Sequence, residues 1–375
     1  MMNFDLVFPR TILFGTGTFS RLGEVCRGNG RRALLVTGRS ALRRSGKLAL
    51  AEKMLAEAGI AVHLFEGVEN DPSLATCDRG IAAARDFGCD MVVAIGGGSA
   101  IDAGKIVAAM LPQAFTIREL FRGERNLERP ALFFVAAPTT AGTGSESTRV
   151  SVLTDEKTQV KKGIRHPFMM PQAALVDPEL TLGLTPEVTA QSGMDALTQA
   201  IECYVGRNAN PASDALAVQA IELLARHLPA AAENGSKIEN REPVALGSML
   251  TGIAFANAAL GAVHGLAHPV GAHFHAPHGL VCALLLPHVC EFNLPAQPEK
   301  FDRIAALIGC KSGREVPAAL SALNRRVGIT DRLGKFGLDE SEFPRILAES
   351  HSVSTANNPR TASDADLAEI LRKAM

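Results

Sequence analysis

No Asp, Glu, Lys or Arg occurs anywhere in residues 243–290. A charge-free stretch of that length cannot form a solvated surface, so it has to be buried in a large core or in lipid. Ser248, Thr251 and Asn257 interrupt its first part, 243–263, and Pro269 and several histidines break it further on. The expectation is therefore a fully buried helix in a large core, with no membrane partner. Six of the ten histidines fall in the same run: His264, His268, His273, His275, His278 and His288. One histidine on an apolar face is an ordinary core residue, but six in so short a span need another reason. Neutral imidazoles in apolar surroundings are good ligands for divalent first-row ions. His264 and His268, spaced i and i+4, share a helix face, Pro269 is expected to end that helix, and His278 stands in its own P-H-G.

Elsewhere the chain alternates. Apolar strands at 33–37, 61–65, 91–95 and 131–137 are separated by helices over about 45–58, 73–87 and 99–110. Uninterrupted apolar strands between helices indicate a parallel sheet covered on both faces, which binds ligands at the carboxyl ends of its strands. From about 181 the apolar spacing is helical throughout, and Thr185-Pro186-Glu187 has the form of a helix start. This gives an α/β domain over 1–180 and an all-helical domain over 181–375. Net charge is −1, so no nucleic-acid partner is expected. The seven cysteines include no C-x-x-C and read as small buried hydrophobes in a reducing cytoplasm. Asp5 and the lack of an apolar run argue against a signal peptide.

Two loops leave strand ends toward a common edge. Gly96-Gly97-Gly98-Ser99 opens a helix whose free N–H groups suit a phosphate, with Ser99 and Asp102 spaced as in a capping box. Thr139, Thr140, Thr143 and Ser145 bring hydroxyls from the second loop. There is no G-x-G-x-x-G. An acid at the end of the first strand would repel a 2′-phosphate; here Gly38 is followed by Arg39, Arg43 and Arg44, which suits NADP(H). In the helical half, Asp195 and Gln199 are i and i+4. With His264 and His278 they make a candidate metal site of one carboxylate, two imidazoles and one amide oxygen.

Taken together, these motifs resemble the iron-containing (group III) alcohol dehydrogenases along nearly the whole chain. They run G-G-G-S-x-x-D-x-x-K at 96–105, P-T-T-x-x-T-G-S-E at 138–146, V-D-P-E-L at 176–180 and G-M-D-A-L-T-x-A-I-E at 193–202. A-N-P at 209–211, H-G-L-A-H-P-x-G at 264–271, P-H-G at 277–279 and N-P-R at 358–360 complete the series. The resemblance implies a dehydroquinate synthase-like architecture: a dinucleotide-binding α/β domain with a parallel sheet, then an all-α metal-binding domain, with the site in the cleft between. It implies a divalent ion, Fe2+ or Zn2+, on Asp195, Gln199, His264 and His278, with His268 near the nicotinamide and Lys161 near the cofactor. It also implies a homodimer or higher homo-oligomer acting on a small alcohol or aldehyde. Gln199 stands where the family has histidine, Gly38 where it has an acid, and Asp71 where it has asparagine near the cofactor; the Asp71 carboxylate has no evident purpose in the sequence. Other readings are a metal-independent reductase similar to maleylacetate reductase, a lyase resembling dehydroquinate synthase, and a non-catalytic NADP-binding protein.

Overall fold

The computed structural model describes residues 4–158 and 160–375; the first three residues of the N-terminal segment read above, and Gln159, lie outside it. The α/β unit comprises Phe8–Thr140 and Ser145–Gly183. Its strands are β1 (Thr11–Phe14), β2 (Arg32–Gly38), β3 (Ala61–Val68), β4 (Met91–Gly96), β5 (Phe133–Pro138), β6 (Val150–Asp155), β7 (Val160–Arg165) and β8 (Ala173–Val176). Its helices are α1 (Leu22–Cys26), α2 (Ala41–Arg44), α3 (Lys47–Glu57), α4 (Leu74–Phe87), α5 (Gly98–Met110) and α6 (Ile117–Arg122). Six strands form one parallel sheet in the order β1-β8-β5-β4-β2-β3, while β6 and β7 form a separate antiparallel hairpin. All six residues of β4 are buried. This is what a central strand covered by helices on both faces requires, and each large apolar side chain so buried contributes about 1.5–3 kcal/mol.

The strand order reverses between β2 and β4, which puts a switch point there, and in such sheets the crevice at the carboxyl ends of these strands receives the ligand. The pairing brings Thr37 beside Ile95 and Gly96 beside Pro138. Gly38 and the two glycine- and threonine-bearing loops therefore leave from neighbouring strands. The β2–β3 register shifts between Val36 and Gly38, re-aiming the chain at that rim. The alternation expected over 33–137 is found, whereas β1, β8 and the hairpin are strands beyond those expected, although β8 is the short apolar run A-A-L-V.

The second unit holds the short N-terminal segment through Val7, Ala141–Gly144, and Leu184–Met375. Its described secondary structure is helical: α7 (Pro186–Val205), α8 (Pro211–Glu233), α9 (Ile238–Ala258), α10 (Ala262–Phe274) and α11 (His278–Asn293), then shorter helices to Ala374. Thr185 caps α7 by accepting from Val188 N, and Asn210 of A-N-P caps α8 in a reciprocal box with Ser213. The charge-free run is not one helix, because α9 and α10 meet at 104°. At that corner Ala259 has φ 60, and Asn357 Nδ2 donates to Ala258 O and Leu260 O on either side of it. The strained turn is thus held from outside. Pro269 lies inside α10 rather than ending it; burial of that helix outweighs the one hydrogen bond proline cannot donate. The stretch His278–Ala296 is long and apolar enough to cross a membrane, and 56% of its apolar window is buried inside the fold.

Candidate metal centre and cofactor loops

Three helices of the second unit each contribute an i, i+4 pair: Asp195 and Gln199 from α7, His264 and His268 from α10, His278 and Cys282 from α11. Close approach of α11 to α7 depends on Gly279, because a Cβ there would stand 2.3 Å from Gln191 O. The start of α10 is anchored by Glu202 and Asn358, whose Oε1 and Oδ1 accept from Val263 N and Ala262 N at 2.6 and 3.3 Å. Asn358, from N-P-R, thus serves the helix that carries His264.

The donor atoms converge. His264 Nε2 lies 3.3 Å from Asp195 Oδ1, and His278 Nε2 lies 3.7 Å from the same oxygen. Cys282 Sγ is 3.8 Å from His264 Nε2 and 3.7 Å from His278 Nε2. Asp195, His264 and Cys282 are buried and His278 partly so, with the four ligand atoms all within 4.8 Å of one another. Gln199 Nε2 donates to Asp195 Oδ2 at 3.1 Å, while Gln199 Oε1 and Asp195 Oδ1 are buried without a hydrogen bond. Buried acceptors of this kind are rare unless a donor, a water or an ion meets them.

Glu202 sharpens the point. Its Oε2 lies 2.6 Å from His264 Nδ1, so the ring proton belongs on Nδ1 and the Nε2 lone pair faces the Asp195 carboxylate. Two acceptors 3.3 Å apart repel unless a proton or a metal ion lies between them. Without a metal, a proton takes that place. Burial alone would disfavour the imidazolium, but Cys282, Glu202 and Asp195 together raise the His264 pKa well above the ordinary value. Burial likewise acts against ionised Asp195, yet His264, His278 and Gln199 hold its pKa below the usual range. Burial pushes the Cys282 thiol up to about 11. The donor set and its orphaned oxygens fit a divalent ion. Glu202→Ala is expected to weaken metal binding by about 10–100-fold, the usual effect of losing the partner that orients a ligating histidine, as read by competition with a chelating dye.

His268 stacks on His278 with ring centroids 5.5 Å apart. The other histidines stay outside the cluster. His273 Nε2 meets the Glu349 carboxylate at 2.9 Å, and His275 is exposed in the left-handed turn after α10, at φ 52. Neither fills the position that Gln199 holds. Cys282, read with the other thiols as a small buried hydrophobe, is buried and stands in this cluster at an H-x-x-x-C spacing from His278. Glu202 was also unassigned, although it lies seven residues after Asp195 on one helical face.

In the α/β unit, Thr139 N donates to Gly96 O at 2.8 Å, and a Cβ on Gly97 would meet only Thr140, at 3.5 Å. The two loops are therefore in contact. Asp71 N donates to Ser99 Oγ, and the Asp71 carboxylate lies 2.7 Å from Lys161 Nζ. That ion pair gives Asp71 a purpose: it holds Lys161 against the loop before α4. The Ser99–Asp102 capping box is not formed, since Gly97 is the N-cap and has no side chain to offer. The Asp102 carboxylate instead accepts from Ser145 Oγ and from Val152 N. Lys105, fully buried, donates to Ser145 O and Oγ at 2.9 Å. Burial lowers the Lys105 pKa to about 8, with Asp102 and Glu146 opposing that shift. Asp102 and Ser145 thus pin the second loop to α5. Thr143 belongs to the segment Ala141–Gly144, which goes with the helical unit.

Residues 9–178 match the model of the iron-containing alcohol dehydrogenase family and residues 189–375 that of its C-terminal domain. The chain belongs to the iron-containing alcohol dehydrogenase family. It is 37% identical to an NADPH-dependent butanol dehydrogenase of Clostridium saccharobutylicum over 99% of this chain and 97% of that one. It is 34% identical to an NAD-dependent methanol dehydrogenase of Bacillus methanolicus over the full length of both. A crystal structure of 1,3-propanediol oxidoreductase superimposes on it with a TM-score of 0.95 at 38% identity, covering 100% of each chain. The reaction class is that of the family, oxidoreduction between alcohols and aldehydes, and Asp195, His264, His278 and Cys282 form a cluster able to hold a metal ion.

Proposed function

We propose that this chain is a metal-dependent, NAD(P)-linked alcohol dehydrogenase acting as an aldehyde reductase on small substrates, with NADP(H) preferred to NAD(H). The convergence of Asp195 Oδ1, His264 Nε2 and His278 Nε2, with Glu202 fixing the His264 tautomer, carries this reading. These three residues would hold Fe2+ or Zn2+, and Gln199 either adds its Oε1 or orients Asp195 through the bond from its Nε2. An ion held there would supply Lewis acidity toward a substrate oxygen, and a bound nicotinamide would supply or accept the hydride. His268, one turn beyond His264 and stacked on His278, is the residue to move a proton to or from that oxygen. Gly96, Gly97, Gly98 and Ser99 would cradle the pyrophosphate with Thr139 and Thr140, and Lys161 would approach the cofactor from its bond to Asp71. A cytoplasmic homodimer or larger homo-oligomer completes the reading on family likeness alone. Net consumption of NADPH with a panel of small aldehydes is the test, and a protein that consumes none refutes it.

The cofactor preference rests on the end of β2. Arg43 is held by Glu66 through bonds of 2.9 and 3.0 Å, and Arg44 bonds Ser40. Arg39 is exposed and has no ion pair among the described residues, so it is the guanidinium available to a 2′-phosphate. A Cβ on Gly38 would meet nothing nearer than Val68 O at 4.0 Å, so an aspartate fits. Gly38→Asp is expected to weaken NADPH binding about tenfold or more while sparing NADH, since an added like charge of about 1.4 kcal/mol is a factor of ten. Wild-type protein that already favours NADH would refute the preference.

A further inference from the structure

We propose that Cys282 is itself a metal ligand, completing a set of Asp195 Oδ1, His264 Nε2, His278 Nε2 and Cys282 Sγ that selects zinc over iron. This rests on the metal-binding reading above and adds to it the fourth donor and the choice of ion. The distances carry it. Tetrahedral bonds of about 2.0–2.1 Å to nitrogen or oxygen and about 2.3 Å to sulfur separate two N/O donors by about 3.3 Å and a nitrogen from a sulfur by about 3.5 Å. The observed carboxylate–imidazole separations are 3.3 and 3.7 Å, and the imidazole–sulfur separations are 3.8 and 3.7 Å. These four separations are close to those around a bound ion, and all four atoms lie within 4.8 Å of one another.

Cys282 is wholly buried and follows His278 by one helical turn on the same face of α11. Gln199 donates from Nε2 to Asp195 Oδ2 and so aims the carboxylate, while its Oε1 stays a buried acceptor. His275, exposed in its turn, offers no competing nitrogen. Binding releases the thiol proton to solvent. A thiolate beside two imidazoles is a soft donor set, and soft donors favour zinc over iron.

The test replaces the native ion in the full-length protein with Co2+. The wild-type protein is expected to bind one equivalent and to show a near-ultraviolet thiolate-to-cobalt charge-transfer band beside the visible ligand-field bands. Cys282→Ser should lose that band, keep the visible ones, and bind the ion about 100-fold or more weakly, beyond the range of outer-partner changes. Gln199→Ala should keep the charge-transfer band. With equimolar Zn2+ and Fe2+ under anaerobic conditions, the wild type should retain zinc. Stoichiometric cobalt without the band overturns the thiolate ligand while leaving the metal reading intact, as does a band that persists in Cys282→Ser. Preferential retention of iron overturns the selectivity. A protein that takes up no cobalt overturns both this inference and the reading beneath it. The wild-type spectrum decides the thiolate question even if the serine variant does not fold.

Discussion

Asp195→Ala is expected to strip the protein of its divalent ion and to lower kcat/KM for aldehyde reduction by roughly three orders of magnitude. The Asp195 oxygens have separate tasks. Oδ2 is held by Gln199, and Oδ1 faces the two imidazole nitrogens at 3.3 and 3.7 Å. Removing the carboxylate takes away a donor and a negative charge that offsets a divalent cation in a buried site. Lewis-acid activation is worth several kcal/mol, and each 1.36 kcal/mol is about tenfold in rate. Metal analysis and steady-state kinetics on the same preparation check both halves. Full metal content in the variant would place the ion elsewhere.

Gly97→Val is expected to weaken NADPH binding by about 100-fold or more while the protein stays folded. The local geometry separates the two effects. Gly97 is the N-cap of α5 with φ −70, a conformation open to any residue, and a Cβ there would touch only Thr140 at ordinary distance. The fold accepts the side chain, but a pyrophosphate brought against the exposed N–H groups of this turn would not. Titration of NADPH fluorescence beside a thermal melt distinguishes the outcomes. Unchanged affinity would reduce the glycine loop to a turn.

The strand–helix alternation was legible because β2, β4 and β5 are central, buried strands, and such strands read as unbroken apolar runs ending in glycine or proline. The edge was not. β1 is four residues long and partly exposed, and β7 reads V-K-K-G-I-R, a solvated ribbon held by its partner rather than by burial. The α9–α10 corner was hidden because nothing in A-A-L-G marks a left-handed alanine; the turn is imposed by Asn357, a hundred residues away. At the centre, Asp195, His264 and His278 were visible as ligand types at helical spacing. Glu202 and Cys282 also stood at helical spacing from Asp195 and His278, but a glutamate inside a helix and a cysteine among leucines have common innocuous explanations. Only the packing of α7 and α10 brings Glu202 onto His264 Nδ1, and only that of α10 with α11 brings a sulfur to two imidazoles. Asp71 shows the reverse case: its unexplained charge is matched by a lysine brought alongside by the hairpin.

The central claim is that Asp195, His264 and His278 hold a divalent ion on which aldehyde reduction depends. Metal content and NADPH-linked activity, measured together on full-length protein purified without chelator, test it most directly. The account predicts one equivalent of divalent metal per chain, activity that falls in proportion as a chelator removes the ion, and activity restored when the ion is returned. Undiminished turnover in metal-free protein would contradict it and leave a metal-independent reductase on the same fold.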